Sequence, residues 1–569
     1  MKERIKKFLE GLLKREDVNV KTEDGKFGHY STSIAFTIGK EENREPKKAA
    51  EEIAETVKQN DSEGFFESVE PAGGGFVNFC LSWDFLKKNL NECLKNLNKW
   101  GEAEAGLKKQ RRGIIMLEYF QPNVAKLPHI GHLRSAVIGD ALKRILKMRG
   151  HKVVSDTHIG DWGTQFGILL YAFGKLSVEE KEELKNSSVK GLHELYVKES
   201  AYIEENPDAR EEAKQEFAFL EEGDRERRKI WDWMVSESKK EFDAIIKKLG
   251  LLPFEEQKGE SFYGGDLAGI VAEALGRGVA KKTADGAVTV DLTNEGLDEA
   301  VLIKADGAST YLLRDLATIK YRAKRWNFIK NLYVVDVRQA LHFKQVFRVA
   351  EMLGIYGNRE NRHIEFGFMS LPEGALSTRK GKVIFLDEVI DDVQERAREV
   401  IREKNPKLKK ADKVACAVGL GALKYFDLLH NRKTNVIFDR EKSLAFEGAT
   451  APYIQYTNAR LLSILRKAKR SGRTKIKEGT CESKERELIF EALRLPEVLD
   501  ESLRDFDPSV VAKYLLGISG RANEWYHAYP VLSESDKSKK LLRLGIARAV
   551  SASLSKGLCC LGIEAPEEM

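Results

Sequence analysis

The sequence predicts an α/β protein built on a doubly wound parallel sheet, with an α+β domain before it and an α-helical bundle after it. Three observations carry that prediction. An apolar run, a glycine-led amphipathic helix and a second apolar run follow one another from residue 113 to 156. Alternating strands mix with helices before residue 108, and long amphipathic helices take over after about residue 410. At 569 residues the chain has room for roughly two to four domains and a large core. Apolar residues make up 42% and charged residues 32%, and the net charge of +6 permits a nucleic-acid partner without demanding one.

Taken in order, the opening MKERIKKFLEGLLKRED is basic and amphipathic. It holds three glutamates and no small-residue cleavage site, so it reads as a surface helix and not a targeting peptide. VEPAGGGFVNFCLS turns at Gly73 to Gly75 into a strand alternating around Phe76, Asn78 and Cys80. The charged stretch NKWGEAEAGLKKQRR reads as a linker and closes a first domain, 1–108. In the second, 109–435, GIIMLEYF is a β-run and HKVVSD a second strand. Between them a helix is expected from about 131 to 149, with Ile138, Leu142, Ile145 and Leu146 on one face. GAVTVDL, AVLIKAD and NLYVVDV are expected as further strands of the same doubly wound core, with a helical insertion around 175 to 250. In the third domain, 436–569, Asp507 is expected to cap a helix with Pro508 at its first position, whose buried face steps through Val511, Leu515, Ile518 and Ala522.

No run of about twenty apolar residues exists, so nothing is expected to span a membrane. The cysteines Cys80, Cys93, Cys416, Cys481, Cys559 and Cys560 form no CxxC pair and read as reduced thiols of a cytoplasmic protein without structural zinc.

Chemistry concentrates at QPNVAKLPHIGHLRSAVIGD, residues 121 to 140, where His129 and His132 fall between a buried strand and the following helix. That is the carboxyl edge of the sheet, where doubly wound folds bind ligands and a helix N-terminus favours phosphate. Gly131 lets a flat group approach the backbone, and Lys126 brings a compact positive charge. A metal pair lacks a carboxylate within the motif, and acid/base work lacks an orienting one. Histidines that only pack or cap a helix remain open on this stretch alone. A phosphate cradle fits the chemistry best.

HIGH after a first strand resembles the signature of class I aminoacyl-tRNA synthetases, and PNVAKLPHIGHLRSAVIGD with HIGDWGTQFG (158–167) resembles the arginyl-tRNA synthetase family in particular. GESFY (259–263), DGASTYLLRDLATIKYR (306–322), QALHFKQVF (339–347), LSTRKGKVI (376–384) and LAFEGATAPYIQYTNARL (444–461) follow in the expected order. The resemblance implies a Rossmann-like catalytic domain. It implies a reaction in which arginine and ATP, accompanied by Mg²⁺, form arginyl-adenylate and pyrophosphate before the arginyl group passes to the end of tRNA(Arg). It implies Lys126, His129 and His132 as catalytic residues, and Gly131, His342, Ser377, Arg379 and Lys380 as ATP contacts. In the KMSKS-type stretch, Ala375 and Thr378 stand where that signature carries lysines, which leaves Lys126 to supply the phosphate charge.

A guanidinium is best met by bidentate carboxylates. The resemblance points to Glu260 and Asp315 for that group, with Tyr311 in the same pocket and Asn123 and Gln339 on the α-amino and carboxylate ends. It implies that the first domain reads the tRNA elbow with Phe76 and Asn78, and that the helical domain binds the anticodon with Tyr526 and the terminal Met569. Core packing is expected to claim at least one of Trp525, Tyr526 and Tyr529. RKAKRSGRTKIK (466–477) is either a phosphate contact or a solvated surface. Gln121 and Pro128 depart from the family's usual pattern, and Pro128 restricts Leu127 to extended geometry. A monomer is expected. A class I enzyme for cysteine or glutamate, and a silent RNA-binding paralogue, are the rival readings.

Overall fold

A computed structural model of the chain describes residues 1–25, 27–103, 111, 113–371, 374–375, 384–439, 441, 448–468, 475–476 and 481–569. The first module is a four-stranded antiparallel sheet in the order β1-β2-β4-β3, made of β1 (Lys21–Gly25), β2 (Gly28–Thr32), β3 (Phe66–Ala72) and β4 (Phe76–Leu81). Helices α1 (Lys2–Leu13), α2 (Ile34–Glu41), α3 (Pro46–Asn60) and α4 (Trp83–Lys95) accompany it. The period-two pattern of β4 decides its faces: Val77, Phe79 and Leu81 are buried, so Phe76 and Asn78 look outward together.

The central sheet runs β11-β10-β5-β6, every pair parallel. Its strands are β5 (Ile114–Glu118), β6 (Lys152–Asp156), β10 (Phe328–Asp336) and β11 (Glu360–Phe366). Helix α5 (Gly131–Met148) makes the first crossover, and α6 (Thr164–Lys175) follows β6. Since β6 lies on one side of β5 and β10 on the other, the order reverses at β5, and that is where a crevice opens in such sheets. Helices α7 (Val178–Glu205), α8 (Pro207–Glu221) and α9 (Arg225–Lys248) form the helical insertion. Helix α10 (Leu267–Gly276) leads to β7 (Lys281–Lys282), β8 (Val288–Val290) and β9 (Ala300–Ile303), and α11 (Tyr311–Trp326) and α12 (Ala340–Met352) flank β10.

One expectation fails here. GAVTVDL and AVLIKAD do not join the parallel core but form β8 and β9 of a separate antiparallel sheet, β7-β8-β9. Their connection is too short for a helical crossover, so only antiparallel pairing can close it.

Helix α5 is buried on nearly every side from Leu133 to Leu146. Its Gly139 lies against Tyr119 so closely that a Cβ would sit 2.1 Å from the ring. Short strands β12 (Met369–Leu371) and β13 (Gly374–Ala375) precede α13 (Leu386–Lys404) and α14 (Ala411–Leu428). Fully buried Arg134 of α5 pairs with Asp427 of α14 at 2.8 Å and donates to the carbonyls of Gly367 and Thr434 at 2.6 and 2.7 Å.

After β14 (Val436–Ile437) come the helices α15 (Ala451–Lys467), α16 (Ser483–Leu493), α17 (Leu495–Asp505), α18 (Ser509–Ala528) and α19 (Lys537–Cys560). The carboxylate of Asp507 accepts the Ser509 N–H at 3.0 Å where α18 begins, but the N-cap position falls on Pro508, one residue later than the sequence predicts. Val511, Leu515, Ile518 and Ala522 are buried as the periodicity requires. Helix α17 joins the modules. Tyr30 donates to Glu497 at 2.9 Å and Lys2 to Glu501 at 2.9 Å, while Asp500 takes Arg149 at 2.7 Å and Arg111 at 3.0 Å.

Candidate active site

A crevice of about 720 Å³ opens at the carboxyl ends of β5 and β10. Glu118 at the end of β5, Asp336 at the end of β10, the histidine pair and the start of α11 line it. Its size suits a nucleotide and an amino acid side by side.

His129 and His132 lie with ring centroids 4.2 Å apart. The His132 Nδ1 accepts the His129 backbone N–H at 3.1 Å, and the His129 Nδ1 accepts that of Gly131 at 3.1 Å. With Nδ1 accepting, the neutral His129 ring carries its proton on Nε2, whereas the His132 Nδ1 also lies 3.3 Å from the His129 carbonyl and can accept or donate there according to its tautomer. Burial, with the neighbouring His132 second, lowers His129 to about 3, and burial lowers His132 to about 4. The pair is neutral at pH 7 and offers hydrogen bonds rather than charge.

The turn holding the pair is fastened to the segment after residue 383. His129 bridges Phe385, the Ile130 N–H donates to the Ile384 carbonyl at 2.9 Å, and the Leu386 N–H to that of Pro128 at 3.0 Å. Pro128 thus contributes a carbonyl in a place where an N–H is not needed. Left-handed backbone marks the same neighbourhood at Phe120 (φ 56°), Ala125 (φ 60°) and His158 (φ 44°). Hydroxyls hold two of these: Ser135 accepts the Phe120 N–H at 2.9 Å, and Ser238 that of Ala125 at 2.9 Å. Gln121 donates to Glu118 at 3.2 Å and accepts from Ser135 at 3.2 Å, so the departure from pattern stays inside the polar network.

The two carboxylates face the crevice from different elements. Glu260 follows Gly259, where a Cβ would lie 1.9 Å from the Asp161 carboxylate. Asp161 in turn accepts Ser261 through its N–H at 2.8 Å and its hydroxyl at 2.7 Å. The Glu260 Oε2 is sealed from solvent without a hydrogen-bond partner, and burial raises the carboxyl to about 7. Asp315, on α11, meets the His342 Nε2 at 2.6 Å and lies 4.0 Å from the His158 Nε2. His342 therefore sits beside Asp315 and lines the same crevice as the histidine pair. Tyr311 stands exposed at the mouth, and Asn123, Gly131 and Gln339 line the wall.

Lys126 does not line this crevice. It lies in a smaller adjoining cleft that shares Asn123, His129 and His132 with it. Ser377, Arg379 and Lys380 lie outside the described residues, as does most of RKAKRSGRTKIK. Far from the crevice, Tyr526 and Met569 line one cavity with Tyr456 and Arg460, while Trp525 goes to the core. Phe76 and Asn78 share the outer face of β4.

Sequence reasoning missed His158, Glu118 and Arg314, all of which line the crevice. His158 is the most informative. It follows β6 by two residues and stacks on Tyr263 at 5.7 Å. Burial opposes its charge, but Glu118 and Asp315 outweigh that and raise its pKa. The rule that singles out HIGH, a polar residue just past a strand's carboxyl end, applies to it equally.

A nucleotide-sized crevice at the switch point of a parallel sheet, with a neutral HIGH pair on one wall and two carboxylates on another, defines a class I aminoacyl-tRNA synthetase. The catalytic-domain description "tRNA synthetases class I (R)" matches residues 91–440, the arginyl tRNA synthetase N-terminal domain residues 1–81, and the DALR anticodon binding domain residues 454–569. An arginine–tRNA ligase of Alkaliphilus metalliredigens is 35% identical over 568 residues, 99% of this chain and 97% of that protein. The arginyl-tRNA synthetase structures from Plasmodium falciparum and Thermus thermophilus superpose with TM-scores of 0.83 and 0.81, each at 25% identity and over all of this chain, covering 99% and 100% of those chains. The chain belongs to the arginyl-tRNA synthetase family.

Proposed function

We propose that the chain ligates arginine to tRNA(Arg), first forming arginyl-adenylate and pyrophosphate from arginine and ATP. One observation carries the reading: a guanidinium-type carboxylate pair, Glu260 and Asp315, opens into the same crevice as the His129 and His132 donors. The sealed, unpartnered Oε2 of Glu260 asks for a donor, and a guanidinium brings five in a planar fork.

The arginine side chain enters between Glu260 and Asp315, with Tyr311 closing the mouth. Asn123 and Gln339 hold the α-amino and carboxylate ends, so that a carboxylate oxygen attacks the α-phosphorus in line and the pyrophosphate leaves. The protein supplies no covalent nucleophile. The ring N–H donors of His129 and His132 follow the phosphates as charge moves toward the leaving group. Lys126 supplies the formal positive charge, joined by Arg379 and Lys380 near Ser377; Gly131 leaves room for the adenine, and His342 orients Asp315. Among the described residues no cluster of three metal-ligating side chains exists, so Mg²⁺ is read as arriving with ATP on the phosphate oxygens.

The tRNA lies across all three modules, taken as 1–108, 109–435 and 436–569. Phe76 and Asn78 meet its elbow, and Tyr526 stacks on an anticodon base in the cavity that Met569 helps to line. Among the described residues no helix is long and apolar enough to cross a membrane, and we place the enzyme in the cytoplasm as a monomer.

The test is ATP–pyrophosphate exchange with and without total tRNA. Exchange that needs arginine and falls about a hundredfold or more in Lys126→Ala is the expected result. Exchange driven by another amino acid overturns the pocket, and tight tRNA binding without exchange supports a silent RNA-binding protein.

A further inference from the structure

The helical insertion meets the Lys126 loop at one place. Helix α7 presents His193 and Tyr196, three residues apart and so on one face. The Lys126 Nζ lies 4.3 Å from the centroid of the Tyr196 ring. The His193 ring packs edge-on against Phe385 at 5.5 Å, and Phe385 is the residue whose backbone bridges His129. Both α7 side chains are buried. One helix face therefore touches the lysine-bearing loop and the segment that pins the HIGH turn.

What holds Lys126 matters for what it can do. Among the described residues no carboxylate pairs with it. An ammonium on a carboxylate would have to break a charge-assisted bond before reaching a phosphate. On an aromatic face it is held only by the ring quadrupole, with its place defined and its charge unspent. The cleft in which it lies shares Asn123, His129 and His132 with the main crevice, so the way to the phosphates is along that common wall.

We propose that Tyr196 is a positioning residue for Lys126: its ring, carried on the insertion, poises the ammonium beside the HIGH turn for delivery to the ATP phosphates. This rests on the reading of Lys126 as the phosphate cation. Losing the ring's electron-rich face costs the turnover of adenylate formation, while arginine affinity, set on the far wall by Glu260 and Asp315, stays unchanged.

The experiment is pyrophosphate exchange by the full chain with tRNA present, comparing Tyr196→Phe, trifluorinated phenylalanine at position 196, and Lys126→Ala. Phenylalanine keeps the ring face, and its fluorinated form keeps nearly the same shape while withdrawing the negative charge from that face. Tyr196→Phe is expected within about twofold of the parent. The fluorinated ring is expected to lower kcat about threefold to thirtyfold, with KM for arginine and Tm unmoved. Equal rates for the two phenylalanines overturn the proposal, because packing alone would then suffice. A Tyr196→Phe loss as large as that of the fluorinated ring overturns it too, since the hydroxyl would be the operative group. If Lys126→Ala collapses exchange while fluorination does nothing, only the role of Tyr196 falls. If Lys126→Ala retains exchange, the reading of Lys126 falls and this proposal with it.

Discussion

At the scale of single residues, the two walls of the crevice use opposite electrostatic strategies. Burial keeps the histidines neutral and leaves the Glu260 Oε2 without a partner; in the proposed function phosphate meets the first and an incoming cation the second. Glu260 ionises ordinarily near 4.5 and in the folded chain near 7. Between those values the folded chain keeps a proton that the unfolded chain releases. Its contribution to stability is thus complete below pH 4.5 and is lost as pH rises through 7. Bound guanidinium reverses the sign, and arginine affinity rises over the same interval. Glu260→Gln should therefore raise Tm at pH 8 by about one or two degrees without arginine, and raise KM for arginine about tenfold to a hundredfold. Thermal scans and steady-state kinetics at pH 6 and pH 8 read both. Glu260 and Asp315 were legible only because GESFY and YLLRD came in a recognised order. Composition and periodicity cannot say that a carboxylate on a helix faces inward, since that depends on β10 and α12 packing behind it. The position of Lys126 over Tyr196 was not legible at all, because it joins residues seventy apart through an insertion whose docking no local pattern encodes.

At the scale of elements, helix α5 carries the most consequence. Its start forms the HIGH turn, and its body fills the space between sheet and helical domain. The periodic residues Ile138, Leu142, Ile145 and Leu146 gave one face in sequence, yet burial from Leu133 to Leu146 is nearly continuous. The difference is made by Arg134, Ser135, Asp140 and Lys143, polar residues that are buried as well, and Arg134 is the bulkiest of them. Taking a guanidinium out of water is costly, and Asp427 beside Nε with two carbonyls on Nη1 offsets part of that cost, while Nη2 finds no hydrogen-bond partner among the described residues. Arg134→Met alone leaves Asp427 buried and unpaired, and should cost about 3–5 kcal/mol in the denaturant midpoint. Adding Asp427→Leu should recover most of that loss. A double variant as weak as the single one would show that the carbonyl contacts, not the ion pair, fix α5 in place. The misplaced strands β8 and β9 teach a related lesson. Their apolar content was right, but sheet membership is decided by connection length, which hydropathy does not record.

At the scale of the whole molecule, three modules were legible because their textures differ, whereas the way they are held together was not. Besides one apolar core that runs from Ile5 through Leu142 to Leu499, the joints include charged residues that read as ordinary surface. Helix α17, only eleven residues long, offers Glu497 and Glu501 to the first module and Asp500 to the central one. Burial would raise Asp500, but Arg149 and Arg111 hold it below its ordinary value. Asp500→Ala should strand the buried guanidinium of Arg149 and lower stability by about 2 kcal/mol. Amide exchange should quicken together at the end of α5 and along α17; quickening confined to α17 would refute a shared joint. The same helix sets a practical limit on dissection. A fragment that keeps α17 but lacks either neighbour exposes acidic groups shaped for partners no longer present, and a fragment that lacks α17 leaves Arg149 without its counter-ion. Melting of any such piece reports the wound where it was cut as much as the part that was kept.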